Sequence, residues 1–186
     1  MTLQDILNND PILNSVDFLG TDKNTDHSYI SHFYEEEFAK YKDLHINILE
    51  IGMGTGGSLF LWKKFFRNSK IYGIDIQDKI HLRYKDKDIT YFFEDAYTED
   101  IVQKLPNFDI IIEDGPHTFE SQKFVLENYI KKLNKNGILI IEDIYPEERI
   151  QQLKSILKSE DRSKLEILDL RNVKNRFDDI LMIYRD

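Results

Sequence analysis

The stretch ILEIGMGTGGS at residues 48–58 constrains this chain more than any other segment, because an apolar run passes directly into a glycine-rich turn and then into helix-forming residues. Glycines in such a turn let the backbone take positive φ and approach a ligand closely. The helix that follows presents N–H groups that have no intrahelical partner. A second apolar run, IYGIDIQ, carries Asp75 at its end, where a carboxylate can accept hydrogen bonds from both hydroxyls of a ribose. Together the two features specify an adenosine site, with Glu50, Gly52, Gly54, Gly56, Asp75 and the adjoining Ile76 as cofactor-binding residues.

From Ile46 onward, apolar runs alternate with amphipathic ones, the pattern of a parallel sheet covered by helices on both faces. Strands are expected over 46–51, 70–74, 90–94, 109–113 and 137–142. Helices are expected over 58–66, 99–105, 120–134 and 146–158, the third ending near Gly137 as a C-terminal cap. Residues 165–170 and 180–184 read as a final strand pair, antiparallel because only a polar segment joins them. Without repeats or low-complexity linkers, residues 1–186 read as one domain, with 1–45 a helical extension and 46–186 the cofactor-binding core.

Composition narrows the function classes. A chain of 186 residues is long enough for one sizeable core. No apolar run reaches membrane-spanning length, and the first residues lack the features of a signal peptide, so a cytoplasmic location and no membrane partner are expected. The absence of cysteine removes disulfides and thiolate chemistry. A formal charge of −9 with scattered basic residues argues against a nucleic-acid partner.

Gly52, Gly54 and Gly57 satisfy the G-x-G-x-x-G spacing of dinucleotide enzymes. Glu50 extends the motif to E-x-G-x-G-x-G, which resembles the first motif of the class I S-adenosylmethionine (SAM)-dependent methyltransferases. A negative charge there suits a sulfonium and an ammonium better than a pyrophosphate. The resemblance implies an α/β, doubly wound, Rossmann-like seven-stranded methyltransferase sheet, mostly parallel with a C-terminal antiparallel hairpin, and SAM as the cofactor. It also places Asp95 and Ala96, in the segment EDAY, beside the adenine ring. The polar stretch GTDKNTDHSYISHFYEEEF at 20–38 has two readings: a capped amphipathic helix opening near Ser28, or a lid whose His27 and Tyr29 close over the methionine end of the cofactor or over the acceptor.

Two further segments, IIEDGPHTF and ILIIEDIY, bring Asp114, His117, Glu142 and Asp143 to strand ends, where doubly wound sheets bind ligands. Oxygen ligation by carboxylates suits a hard cation such as Mg²⁺. The D-G-x-H turn and the later E-D pair resemble those of metal-dependent sugar O-methyltransferases that tailor polyketides and macrolides, and more loosely the cephalosporin-hydroxylase-like methyltransferases. That resemblance implies Asp114, Glu142 and Asp143 as metal ligands, with His117 as general base and Asp114 beside it as the catalytic residues. It implies O-methylation of a small-molecule acceptor, a sugar or nucleotide-linked sugar, and a homo-oligomer is compatible with it. Pro116 departs from the small polar residue common at its position. Simpler roles stay open, with Asp143 as a helix cap and His117 bonded to a backbone carbonyl. So do a catechol-type acceptor, an NAD-dependent oxidoreductase and a non-catalytic cofactor-binding protein.

Overall fold

The computed structural model describes residues 1–186. Seven strands form one sheet: β1 Asn47–Ile51, β2 Lys70–Asp75, β3 Ile89–Phe93, β4 Phe108–Glu113, β5 Leu133–Ile141, β6 Leu165–Asp169 and β7 Ile180–Arg185. Their order is β3-β2-β1-β4-β5-β7-β6. The first five are parallel to one another, and β7 runs antiparallel to both β5 and β6. The expected mixed sheet with its closing antiparallel pair is therefore what the chain forms.

Successive side chains along a strand face opposite ways, so a central strand needs apolar residues at every position. One face carries Ile48, Ile71, Ile110, Ile138 and Leu181, packed against α1 (Leu3–Asn8), the aromatic residues of the N-terminal segment and α4 (Gly57–Phe65). The other carries Leu49, Ile51, Ile74, Ile111, Leu139 and Met182, covered by α5 (Glu99–Lys104), α6 (Phe119–Asn128) and α7 (Glu148–Ile156). Between these helical layers the strand order reverses at β1 and β4, so a crevice opens at their carboxyl ends.

Several local expectations are corrected. The helix expected over 120–134 ends at Asn128, a short 3₁₀ turn follows at Ile130–Lys132, and β5 starts at Leu133. Gly137 is accordingly inside β5 and is no cap. A Cβ there would stand 2.8 Å from the Asn134 carbonyl oxygen, so close backbone approach explains the glycine. Near Ser28 the chain enters a π-helical turn, Ile30–Tyr34, that runs into α3 (Glu35–Ala39). The short α2 (Asp22–Thr25) precedes it.

Candidate active site

The glycine loop owes its course to contacts on both sides. Gly52 N donates to the Ile74 carbonyl at 2.8 Å, and Asp114 N donates to the Ile51 carbonyl at 2.8 Å. Gly52 has φ of +86°, and a Cβ on it would lie 1.9 Å from the Asp114 carbonyl oxygen; no other residue fits. Asp75 lies under the loop, its Oδ2 accepting from Gly54 N at 3.1 Å and its Oδ1 from Gln77 N at 3.1 Å. The resulting cleft, about 630 Å³, is lined by Gly52, Gly54, Asp75, Ile76, Asp95 and Ala96, and by the turn from Asp114 to His117. A second cavity of about 380 Å³ adjoins it, bounded by residues 15–18, Thr21, Asp22 and the start of α4. Gly56 starts α4 with φ of +91°, its Cβ position facing Ile80 and Tyr84, so it shapes the loop from behind.

Glu50, expected to meet the cofactor, is instead fully buried beneath the loop. Its Oε2 accepts from Trp62 Nε1 at 2.9 Å, and its Oε1 is 3.5 Å from Lys23 Nζ. Burial pushes its carboxyl up to about 7, against the pull of Lys23.

Lys23 is the centre of this inner layer. Its ammonium is 1% exposed and stands 2.6 Å from Asp114 Oδ2 and 2.6 Å from Glu142 Oε2. Burial alone would depress its pKa, but Asp114, Glu142 and Glu50 outweigh that and hold it well above the ordinary lysine value. Burial raises the Asp114 and Glu142 carboxyls, and Lys23 opposes the rise in both. Glu142 was expected to share a metal with Asp114 and Asp143. Both its oxygens are taken by protein donors, Oε2 by Lys23 and Oε1 by the Tyr34 phenol. The cation that compensates the inner carboxylates is thus a side chain.

In the outer layer, Asp114 and His117 line the cleft. Asp114, His117 and Asp143 each present a ligand atom, all within 4.8 Å of one another. His117 Nε2 is 3.6 Å from Asp143 Oδ2 and 3.8 Å from Asp114 Oδ1. His117 and Asp143 both have left-handed backbones, φ of 50° and 56°, a conformation uncommon among non-glycine residues but adopted more readily by Asp and His than by most. Arg149 secures the turn by donating to the His117 carbonyl at 2.5 Å. Asp143 caps no helix here, since α7 begins at Glu148 with Glu147 before it.

His27 and Tyr29 do not line the cofactor cleft and form no flap over it; both are buried among structural partners. The Tyr29 phenol donates to Asp143 Oδ1, and His27 Nδ1 lies 2.5 Å from Asp179 Oδ1. The segment expected as a lid or an edge helix therefore forms the floor of the site. Sequence reasoning missed Lys23, Tyr34 and Asp179. Lys23 lay in plain view within GTDK, but no periodicity marks a lysine for burial.

Residues 42–182 match the family model described as a methyltransferase domain. The chain belongs to that family. It is 32% identical over 136 residues to an 8-demethyl-8-alpha-L-rhamnosyl tetracenomycin-C 2'-O-methyltransferase of Streptomyces olivaceus, a match covering 67% of this chain and 35% of that protein. It is 32% identical over 121 residues to the mycinamicin VI 2''-O-methyltransferase of Micromonospora griseorubida, covering 60% of this chain and 30% of the relative. The match thus spans about a third of the length of these relatives. Among solved structures, the MycE methyltransferase from the mycinamycin biosynthetic pathway, in complex with Mg, SAH and mycinamycin VI, superposes over 100% of this chain and 54% of its own. The TM-score is 0.73 at 20% identity, a likeness of fold.

Proposed function

We propose that this chain is a SAM-dependent O-methyltransferase that acts on a sugar hydroxyl of a glycosylated small molecule. The observation that carries the reading is the meeting of the glycine-loop cleft with the Asp114, His117 and Asp143 cluster at one strand edge. The names of the relatives, which specify O-methylation of a rhamnosyl tetracenomycin-C and of mycinamicin VI, support the acceptor class.

Within the cleft, Asp75 is suited to the ribose hydroxyls, Asp95 and Ala96 to the adenine ring, and the Gly52–Gly54 backbone to the methionine portion. SAM supplies an electrophilic methyl group on sulfur. Transfer breaks that S–C bond, forms an O–C bond to the acceptor and releases the hydroxyl proton. His117 Nε2 is the group placed to take this proton, and a positioned base contributes about 10²–10⁴-fold.

Asp114 and Asp143 fit a divalent cation by donor chemistry: each has one oxygen held by the protein and the other turned toward the cluster. Such a cation supplies positive charge that favours ionisation of a hydroxyl. Mg²⁺ prefers oxygen ligands, which leaves His117 free for the proton. Tyr145 and Phe177, exposed and in edge-on contact with ring centroids 4.7 Å apart, sit on the loops that carry Asp143 and Asp179. They offer an apolar wall for the acceptor.

The test is to incubate the protein with SAM, Mg²⁺ and a panel of glycosylated macrolides, aromatic polyketide glycosides and nucleotide-linked sugars, following S-adenosylhomocysteine release. Turnover with a sugar-bearing acceptor, lost in EDTA and restored by Mg²⁺, is the expected result. Turnover confined to catechols would overturn the acceptor assignment, and full activity in EDTA would overturn the cation.

A further inference from the structure

Asp143 differs from the other site carboxylates in how it is held. Asp114, Glu142 and Glu50 surround Lys23, whereas Asp143 has no lysine or arginine partner of its own. Its backbone is in the left-handed region. Its Oδ1 accepts from the fully buried Tyr29 phenol, and His27 Nδ1 stands 3.6 Å from the same oxygen. Its Oδ2 is thereby left toward His117.

Tyr29 is itself fixed from behind. The His27 ring stacks on it with centroids 4.7 Å apart and planes 23° apart. Since a carboxylate only accepts, the 2.5 Å contact between His27 Nδ1 and Asp179 Oδ1 is an N–H donation from the imidazole. Asp179 is fully buried immediately before β7. The same connection anchors the backbone of the segment, with Lys174 Nζ donating to the carbonyls of Asn24, Thr25 and His27 at 2.6, 2.9 and 2.9 Å.

We infer that Tyr29, backed by His27 and Asp179, is a positioning residue that commits one oxygen of Asp143 to the protein and turns the other into the cation site. The inference rests on the cation reading given above. Partners of this kind, when removed, weaken metal affinity by about 10–100-fold.

The test is Mn²⁺ binding followed by electron paramagnetic resonance, beside calorimetry of S-adenosylhomocysteine, on the full chain. Tyr29→Phe removes only the hydroxyl. Mn²⁺ affinity is expected to fall about tenfold or more with S-adenosylhomocysteine affinity unchanged. His27→Asn, which retains a side-chain N–H for Asp179, should bind Mn²⁺ better than His27→Leu. Equal Mn²⁺ affinity in wild type and Tyr29→Phe would overturn the inference alone. A parallel loss of Mn²⁺ and S-adenosylhomocysteine would overturn it too, by showing general disruption. A wild-type protein that binds no Mn²⁺ would remove the cation reading and the inference with it.

Discussion

Replacing Lys23 by Met keeps the length of the side chain and deletes its charge, leaving Asp114, at the wall of the cleft, together with Glu142 and Glu50, which are shielded from water. Breaking a buried ion pair by removing one partner destabilises a protein by about 3–5 kcal/mol, against a total stability on the order of 5–15 kcal/mol. For a domain of this size that lowers Tm on the order of 10 °C. The loss depends on pH. Without Lys23 the three carboxyls lose the charge that opposes their rise, so their folded-state pKa values move further above the unfolded ones. A group raised in this way contributes stability below its unfolded pKa and loses it as pH rises through the folded value. The deficit of Lys23→Met should therefore be small near pH 5 and largest above pH 7. Adding Glu142→Gln, which removes one of the stranded charges, should recover part of it. Urea denaturation across pH 5–8 on the three proteins measures this. A Lys23→Met variant as stable as wild type at pH 8, or a double variant with no recovery, would refute the assignment of Lys23 as the internal cation.

Three further outcomes are expected. Asp75→Ala should weaken S-adenosylhomocysteine binding about ten- to a hundredfold by calorimetry, the loss of charge-assisted hydrogen bonds worth roughly 1.5–3 kcal/mol; unchanged affinity would remove Asp75 from the ribose site. Burial pushes the Glu113 carboxyl from 4.5 up to about 7, against the hydrogen bond from Tyr97, so Glu113→Gln should match wild type near pH 5 and be more stable by about 2–3 kcal/mol above pH 7.5. Denaturation curves that shift equally at both pH values would contradict that. Tyr145→Ala and Phe177→Ala should raise KM for a glycosylated acceptor with little change in cofactor affinity, and unchanged acceptor kinetics would remove the apolar wall.

The fold was legible because burial on both faces of a parallel sheet writes itself as unbroken apolar runs, such as III before Glu113 and ILII before Glu142. Strand ends then locate Asp75, Asp95, Asp114 and Asp143 with no further information. What could not be read was the allocation of partners. Glu142 and Asp143 are neighbours in sequence, but Glu142 turns inward to Lys23 and Tyr34 while Asp143, in a left-handed conformation, turns one oxygen toward His117. Glu50 matched a sequence motif, yet its carboxylate is spent on Trp62 and Lys23. Apart from the Glu50–Trp62 contact, the partners of Asp114, Glu142, Asp143 and His27 lie about 90 to 150 positions away in the chain, a separation that no local pattern encodes. The helix expected through Asn134 failed for a related reason, since sheet pairing with β4 claims residues from Leu133 onward.

If the cleft between Gly52, Asp75 and Ala96 holds the adenosine of a methyl donor, calorimetric titration of the purified protein with S-adenosylhomocysteine and with NAD will distinguish the two ligands. Saturable binding of S-adenosylhomocysteine that Asp75→Ala weakens is expected, with NAD bound far more weakly. Saturable NAD binding with no heat from S-adenosylhomocysteine would contradict it.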